Sequence, residues 1–337
     1  MPFLWENVMS DFFRAENLCF GYLKQPLCLK DVNFSADKNS KVLILALDDK
    51  GKTSLIKTLS GFDEKFFGKV FLEEKEIRSI PDEDKKVSII FDTPILLNSN
   101  IEKNIDYVFD VLKRERISET EKLELLKKVG LDYPIKTKIK KLSNFEKFKL
   151  CFLRVFVKDS KIVFIDDIFK NNFSEQNIEE LKEIFNLCLK DKLVFVCANS
   201  KSFVNNRKFF DWFDFSKVLY LNNAIVFEKK SVEEFLRDSI DLDACEFNAN
   251  LNKLEGFCVR QDGAFYLSFE DKYILKLDRR FDDSFESLKL SEGESEDIVL
   301  VFENLMQIDL TKNDEINKLL ADKKLMIFSK IDRSRVL

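Results

Sequence analysis

ILALDDKGKTSL, residues 44–55, is the stretch on which the reading of this chain turns. It closes an apolar run, VLILAL at 42–47, and opens a segment whose Leu55, Ile56 and Leu59 have helical spacing. A strand feeding a helix through Gly-Lys-Thr is the setting of the phosphate-binding pattern GxxxxGK[ST]. Here the pattern reads Ala46-Leu47-Asp48-Asp49-Lys50-Gly51-Lys52-Thr53. In it Lys52 would reach the β and γ phosphates, and the Thr53 hydroxyl would bind Mg2+. Asp49, Lys50, Gly51, Lys52, Thr53 and Ser54 are thus the candidate nucleotide-binding set. The first half works against it. Ala46 replaces the first glycine, and Asp48 and Asp49 stand where phosphate oxygens would lie. Such a loop binds through converging N–H groups and local positive potential. At about 5 Å and an effective dielectric near 20, each like-charge pair costs roughly 3 kcal/mol before screening. Lys50 and Lys52 offset part of that cost.

Working outward, residues 12–35 alternate apolar and polar, which predicts antiparallel strands. VSIIF at 87–91, KIVFIDD at 161–167 and KLVFVCAN at 192–199 are short continuous apolar runs, as buried parallel strands require. Charged amphipathic helices fill 101–130 and end at Gly130. Strands alternating with helices predict an α/β fold with a largely parallel sheet. VLYLNNAIVFEKK at 218–230 reads as a hairpin around Asn222-Asn223, followed by a closing helix at SVEEFLRD. The pattern then changes. Residues 241–252 are polar and read as a linker; AFYLSF and YILKL read as a hairpin turning at Glu270-Asp271; IVLVFENL and the helix-like DEINKLLADKK follow. The expected division is 12–240, with a helical subdomain at about 93–155, and a smaller β-rich domain at 241–337.

Composition narrows the function classes. Among 337 residues, 45% are apolar and the net charge is −5 with signs mixed, so there is no general nucleic-acid footprint. No apolar run nears the ~20 residues of a membrane helix. The start, MPFLWENVMSDFF, makes a poor signal peptide; a cytoplasmic protein is expected. Seven cysteines without a CxxC pair indicate neither a zinc site nor a disulfide framework. There is no histidine, only 8 glycines, and 35 phenylalanines. Compositional drift in an AT-rich genome would produce that bias and removes glycines without any functional cause.

Two further features carry chemistry. Tyr22, in Phe20-Gly21-Tyr22, stands 24 residues ahead of Ala46, where an aromatic ring can stack on adenine; as readily, it is one more strand aromatic in a Phe-rich chain. KIVFIDD ends in two carboxylates. Asp166 suits the Mg2+ partner of a phosphate loop, and Asp167 falls where a base would polarise the attacking water. The plainer reading is a strand end facing solvent.

FGY, GKTSL, IIFDTP, KLSNFEKFKLCFLR, KIVFIDD and FVCANS, in this order and spacing, resemble the ATPase subunits of ABC transporters over about residues 12–237. The resemblance implies a P-loop ABC-type nucleotide-binding domain: a mixed, largely parallel sheet with antiparallel β and helical subdomains. It implies ATP and Mg2+ as cofactors, permease subunits as partners on the inner face of a membrane, and a homodimer or a heterodimer with another ATPase subunit. The C-terminal segment is similar in architecture to the small regulatory domains of sugar-importer ATPases. The departures then matter. Asp92 takes the place of the glutamine that couples to the membrane partner and to Mg2+. The signature loop LSGGQ is Leu142-Ser143-Asn144-Phe145-Glu146; Ser143 survives, and Phe145 is expected to crowd the approach to a partner's γ-phosphate. Arg154 matches a helix position of the family. The switch histidine is missing from Cys197-Ala198-Asn199, leaving Asn199 at that place. Asp167 replaces the catalytic glutamate, one methylene shorter, and misplacing a base by ~1 Å can cost about 10²-fold. Drift explains lost glycines but not all these changes together. Weakened nucleotide binding and impaired or absent hydrolysis are expected, in an importer complex. The alternatives are a slow ATPase driving uptake of a solute such as a carbohydrate, and a soluble regulatory scaffold without a membrane partner.

Overall fold

The computed structural model describes residues 12–21, 27–47, 51–63, 66–237, 243–248, 251–262, 264–269, 273–277, 281–291, 294–303, 313–321, 325–329 and 334–336. The chain divides into two compact units, Met1–Val232 and Glu233–Leu337.

The first unit runs β1 (Phe13–Gly21), β2 (Leu27–Ala36), β3 (Lys41–Ala46), α1 (Lys52–Leu59), β4 (Phe67–Leu72), β5 (Lys75–Glu76) and β6 (Val87–Ile90). It continues with α2 (Ile101–Val111), α3 (Glu119–Lys128), α4 (Asn144–Lys158), β7 (Ile162–Ile165), α5 (Glu175–Cys188) and β8 (Leu193–Asn199). Then come α6 (Ser200–Asn205), α7 (Arg207–Trp212), β9 (Lys217–Asn222) and β10 (Ile225–Lys229). The apolar runs predicted as buried strands become β3, β6, β7 and β8. They form a sheet of order β10-β9-β3-β8-β7-β6, parallel except for β10. The alternating N-terminal segments form an antiparallel sheet of order β2-β1-β4-β5. The hairpin turn falls at Asn223 and Ala224, both at positive φ, one residue later than expected.

Phenylalanine joins the two sheets. Phe164 and Phe195 pair across β7 and β8 and stack at 4.7 Å. Phe13 of β1 meets Phe195 edge-on at 5.5 Å. Rings at such separations add attraction beyond the area they bury. The helices between β6 and β7 start on side-chain caps: Asn100 for α2, and Ser118 and Ser143 with full capping boxes for α3 and α4. Asn104, fully buried, ties the backbone of Leu97 to α2 through Leu97 N–H and C=O.

Few glycines does not mean few left-handed turns. Among the described residues, fifteen non-glycine positions have positive φ, and ten of these are Asn or Asp. These are the residues that tolerate that backbone best, so the chain replaces turn glycines without losing the turns. Gly51 is one place where glycine persists: its φ is +86°, and a Cβ there would come within 2.8 Å of the Leu221 side chain.

The second unit contains α8 (Val232–Arg237), β11 (Leu251–Gln261), β12 (Ala264–Phe269), β13 (Tyr273–Lys276), α9 (Asp282–Phe285), β14 (Ser295–Glu303), α10 (Asn313–Ala321) and β15 (Leu325–Ser329). Its antiparallel sheet has the order β13-β12-β11-β14-β15. Ile298 and Leu300 of β14 enter one apolar cluster with Leu267, Phe285 and Ile316. Val299 and Val301 enter another with Cys245, Met326 and Phe328. Both faces of that strand are therefore covered. The polar 241–252 segment is not simply a linker: Ala244, Cys245 and Phe247 are buried in a short 3-10 turn, because three apolar residues among many polar ones suffice to anchor it. The expected turn at Glu270-Asp271 lies outside the described residues, though its flanking residues Phe269 and Tyr273 do pair.

Candidate nucleotide site

The site lies at the C-terminal ends of β3, β7 and β8, where an open α/β sheet places its ligands. Gly51 starts α1, and Lys52, only 1% exposed, is drawn into the sheet's end. The Thr53 hydroxyl donates to Asp166 Oδ2 at 2.6 Å across 113 residues of sequence. Asp166 follows β7 and donates its N–H to Ile90 O, which fixes it at the tip of the sheet. Burial raises the Asp166 carboxyl above its ordinary range, and the Thr53 hydrogen bond opposes that. The half of the predicted site nearest the chemistry is therefore assembled. Ser54 is buried on the next position of α1. Tyr22, Asp49 and Lys50 lie outside the described residues, as does Asp48.

Asp167 is not the solvent-facing carboxylate of the plainer sequence reading. It is fully buried, at φ 37° and ψ 50°. Asn199 N–H donates to its Oδ2 at 3.0 Å, and its Oδ1 has no hydrogen-bond partner in the structure. Burial pushes its carboxyl up, against the pull of the Ser202 hydroxyl, Lys52, Lys170 and the Asn199 N–H. The Asn199 side chain caps α6: its Oδ1 accepts from Ser202 N–H at 2.8 Å. Cys197 is wholly buried, and burial raises its thiol well above the ordinary value.

Asp92 sits at the outer edge with its Oδ2 3.6 Å from Lys170 Nζ, which in turn lies 4.0 Å from Asp167 Oδ2. Asn171 donates to the carbonyls of Asp92 and Ile168, both at 2.8 Å, and accepts from Asn144 at 2.8 Å. This links the turn after β7 to the segment after β6 and to the start of α4. Lys170, Asn171 and Ser202 were missed at the sequence level. Lys170 carried a signal, an opposite charge three residues after Asp167.

The signature segment departs from expectation. Ser143 caps α4 and Glu146 closes the capping box, with Ser143 N–H donating to Glu146 Oε2 at 2.8 Å and Glu146 N–H to Ser143 Oγ at 3.2 Å. The spacing S-x-x-E is itself a helix-start signal. The Phe145 ring turns inward. Its ring is 8% exposed and packs against Phe173 at 5.1 Å, with Lys149 Nζ over its face at 5.2 Å. An apolar ring beside an apolar neighbour is more stable buried than held toward phosphate.

A fit to Mg2+ divides the site. Thr53 and Asp166 are hard oxygen donors of the kind that ion takes along with substrate phosphates. Asp92 already faces an ammonium, and among the described residues no three acidic, Cys or His side chains are grouped to hold a metal.

A second concave feature opens between the end of α1, β6, α2 and α4. Its volume is about 540 Å³ and its lining includes Phe62, Phe91, Ile95, Tyr107, Val111 and Arg154. Phe62 is 74% and Ile95 61% exposed. Arg154 reaches Ile95 O at 2.9 Å and lies over the Tyr107 ring. Among the described residues no helix is long and apolar enough to cross a membrane.

The sheet order, Gly51 leading into α1 and the helical insertion before β7 can be compared with known proteins. Residues 29–170 match the family described as ABC transporter. The chain is 29% identical over 188 residues to "ABC transporter ATM1" of Plasmodium falciparum, covering 49% of this chain and 18% of that protein. It is 28% identical over 145 residues to "Molybdate/tungstate import ATP-binding protein WtpC" of Thermococcus kodakarensis, covering 42% of this chain and 44% of that one. A bacterial Atm1-family ABC exporter with ATP bound shares the fold, with TM-score 0.57 and 19% identity over 70% of this chain and 41% of that chain. The chain thus spans less than half the length of each of these relatives.

Proposed function

We propose that this chain is the nucleotide-binding ATPase-like subunit of an ABC transporter complex, with hydrolysis weak or lost, acting beside membrane subunits in a structural or regulatory role. The observation that carries this reading is the state of Asp167. A general base must reach the proton it abstracts directly or through one water. The Asp167 carboxylate is instead fully buried and accepts from Asn199 N–H. The exposed apolar groove offers a docking place for a cytoplasmic segment of a membrane subunit, through Phe62, Ile95, Tyr107 and Val111. Docking of that kind would hold the chain on the inner face of a membrane. Similarity to a molybdate/tungstate import ATP-binding protein supports an import role, and the fold shared with an ABC exporter speaks for the opposite direction. The second unit, with its own core, is read as a regulatory module.

The test is ATP turnover by the purified protein with its co-purifying partners. Turnover no higher than that of Lys52→Ala is expected; substantial turnover that Lys52→Ala removes would sink the reading. That outcome would favour the second reading, a slow but active ATPase, for which the assembled Lys52, Thr53 and Asp166 speak. Purification without any membrane subunit would favour a soluble scaffold.

A further inference from the structure

The groove between α2, α4 and β6 joins exposed apolar side chains to unpaired cations. Phe62, Ile95, Tyr107 and Val111 are open to water. Lys85, Arg154 and Lys158 line the same groove, against one carboxylate, Asp82, which already pairs with Lys85 at 2.8 Å. Arg154 Nη1 and Lys158 Nζ donate only to the carbonyls of Ile95 and Val87, and Arg154 Nε is buried without a partner. Such a groove suits an occupant that is apolar, carries carboxylate and lacks cations. The chain holds one. Residues 1–11, MPFLWENVMSD, lie outside the described residues; they contain Phe3, Leu4, Trp5, Val8 and Met9 beside Glu6 and Asp11, with no Lys or Arg.

The point from which this segment leaves is fixed. Phe12 is buried, and its carbonyl accepts from Glu73 N–H at 3.0 Å. Glu73 in turn holds Lys161 Nζ at 2.6 Å, and Lys161 N–H donates to Lys86 O at 2.7 Å. Val87, the next residue, lines the groove. Between the two points lies a hollow of about 290 Å³ lined by Glu73, Pro81 and Lys86, and Asp82 and Lys85 of the same turn face the groove. Eleven extended residues reach at most about 36 Å. We propose that residues 1–11 run back past this turn and lay Leu4, Trp5 and Val8 into the groove, with Glu6 toward Arg154. A tethered segment has an effective concentration of about 1 mM, so an intrinsic Kd near 0.1 mM keeps it docked about nine-tenths of the time. A contact that weak yields to a tighter partner, so the segment covers the apolar patch until a partner takes it. The covering role rests on the reading of the groove as a docking place; the contact itself does not, and it is the contact that is tested.

The experiment is acrylamide quenching of tryptophan fluorescence in the full chain. There are two tryptophans, so the difference between each protein and its Trp5→Phe counterpart reads Trp5 with Trp212 left in place. Trp5 is expected to be quenched about threefold less efficiently in the native chain than in the urea-unfolded one. Ile95→Glu replaces an apolar contact with a charge that repels Glu6, and should remove most of that protection; Ile95→Val should keep it. Glu6→Lys should weaken it through Arg154. Trp5 quenched as freely in the native as in the unfolded chain overturns the proposal and leaves the groove open to a membrane subunit. Protection that Ile95→Glu leaves intact overturns it by placing Trp5 elsewhere. Protection that vanishes on dilution assigns the segment to the groove of a second copy, and protection that appears only with added lipid vesicles assigns it to a lipid surface; either result overturns the proposal. Thermal unfolding of each variant checks that the fold is unchanged.

Discussion

At the phosphate face, most charged groups meet a partner, Asp167 Oδ1 excepted; in the groove between α2, α4 and β6, apolar groups are left facing water. Thr53 donates to Asp166, Asn199 holds Asp167, and Lys170 lies between Asp92 and Asp167. Phe62, Ile95, Tyr107 and Val111 have no such closure and remain exposed. A buried carboxylate held by its neighbours is poorly placed to take a proton from water, whereas an exposed apolar patch still has its burial to gain. The difference locates the proposed catalytic loss at one face and the proposed partner binding at the other.

The sharpest attempt to break this contrast is to return a glycine to the signature segment. Phe145→Gly removes a buried ring and adds a flexible residue to the first turn of α4. It is expected to lower stability by about 4 kcal/mol in urea unfolding, with no gain in ATP turnover. A gain in turnover would mean that the segment does still address a partner's phosphate.

Lys52→Ala comes next. It leaves Asp166 and Asp167 buried with one less neighbouring cation, which should cost about 3 kcal/mol and abolish ATP binding. Urea unfolding and calorimetry read the two effects separately. If stability falls and ATP still binds, the phosphate face is not where the nucleotide sits.

In the groove, Phe62→Glu changes a side chain that is 74% exposed. Its effect on stability should stay within about 0.5 kcal/mol. Co-purification with the membrane partner should weaken by about 2 kcal/mol, roughly 30-fold. Unchanged association would remove the groove from the proposed interface.

The smallest effect tests Asp167 itself. Its folded carboxyl titrates above the unfolded value because burial disfavours the charge. The folded state thus holds this proton more tightly than the unfolded chain. That contribution to stability is complete below the unfolded carboxylate value of about 4 and is lost as pH rises through the folded one. Asp167→Asn should therefore stabilise the protein by about 1 kcal/mol near neutral pH, and progressively less on acidification. Asparagine accepts the Asn199 N–H equally well and tolerates the left-handed backbone. A pH series of urea unfolding curves checks the trend; a loss of stability at neutral pH would show that the charge at 167 is needed.

Much of the architecture was legible. Continuous apolar runs gave β3, β6, β7 and β8, since a strand buried on both faces needs apolar residues throughout. The GKT and IDD segments pointed correctly to Thr53 and Asp166 as neighbours. Less legible was what surrounds them. Phe145 read as an obstacle because a sequence does not say which way a ring turns, and Phe173 supplies the contact that turns it inward. Glu146 closes the cap begun by Ser143 and accepts from the Tyr133 hydroxyl, contacts that depend on the folded helix start.

By itself the sequence determined the strand and helix order, through the periodicity of its apolar residues and the caps at its helix starts. It also determined that this chain carries no histidine for any switch. Only the tertiary structure decided the roles of the charges. Asp167, Lys170, Asp92 and Asn199 come from four segments, and whether a carboxylate is a base or a buried structural anchor depends on what folding places beside it. Local pattern is set by neighbours along the chain, and charge environment by neighbours in space.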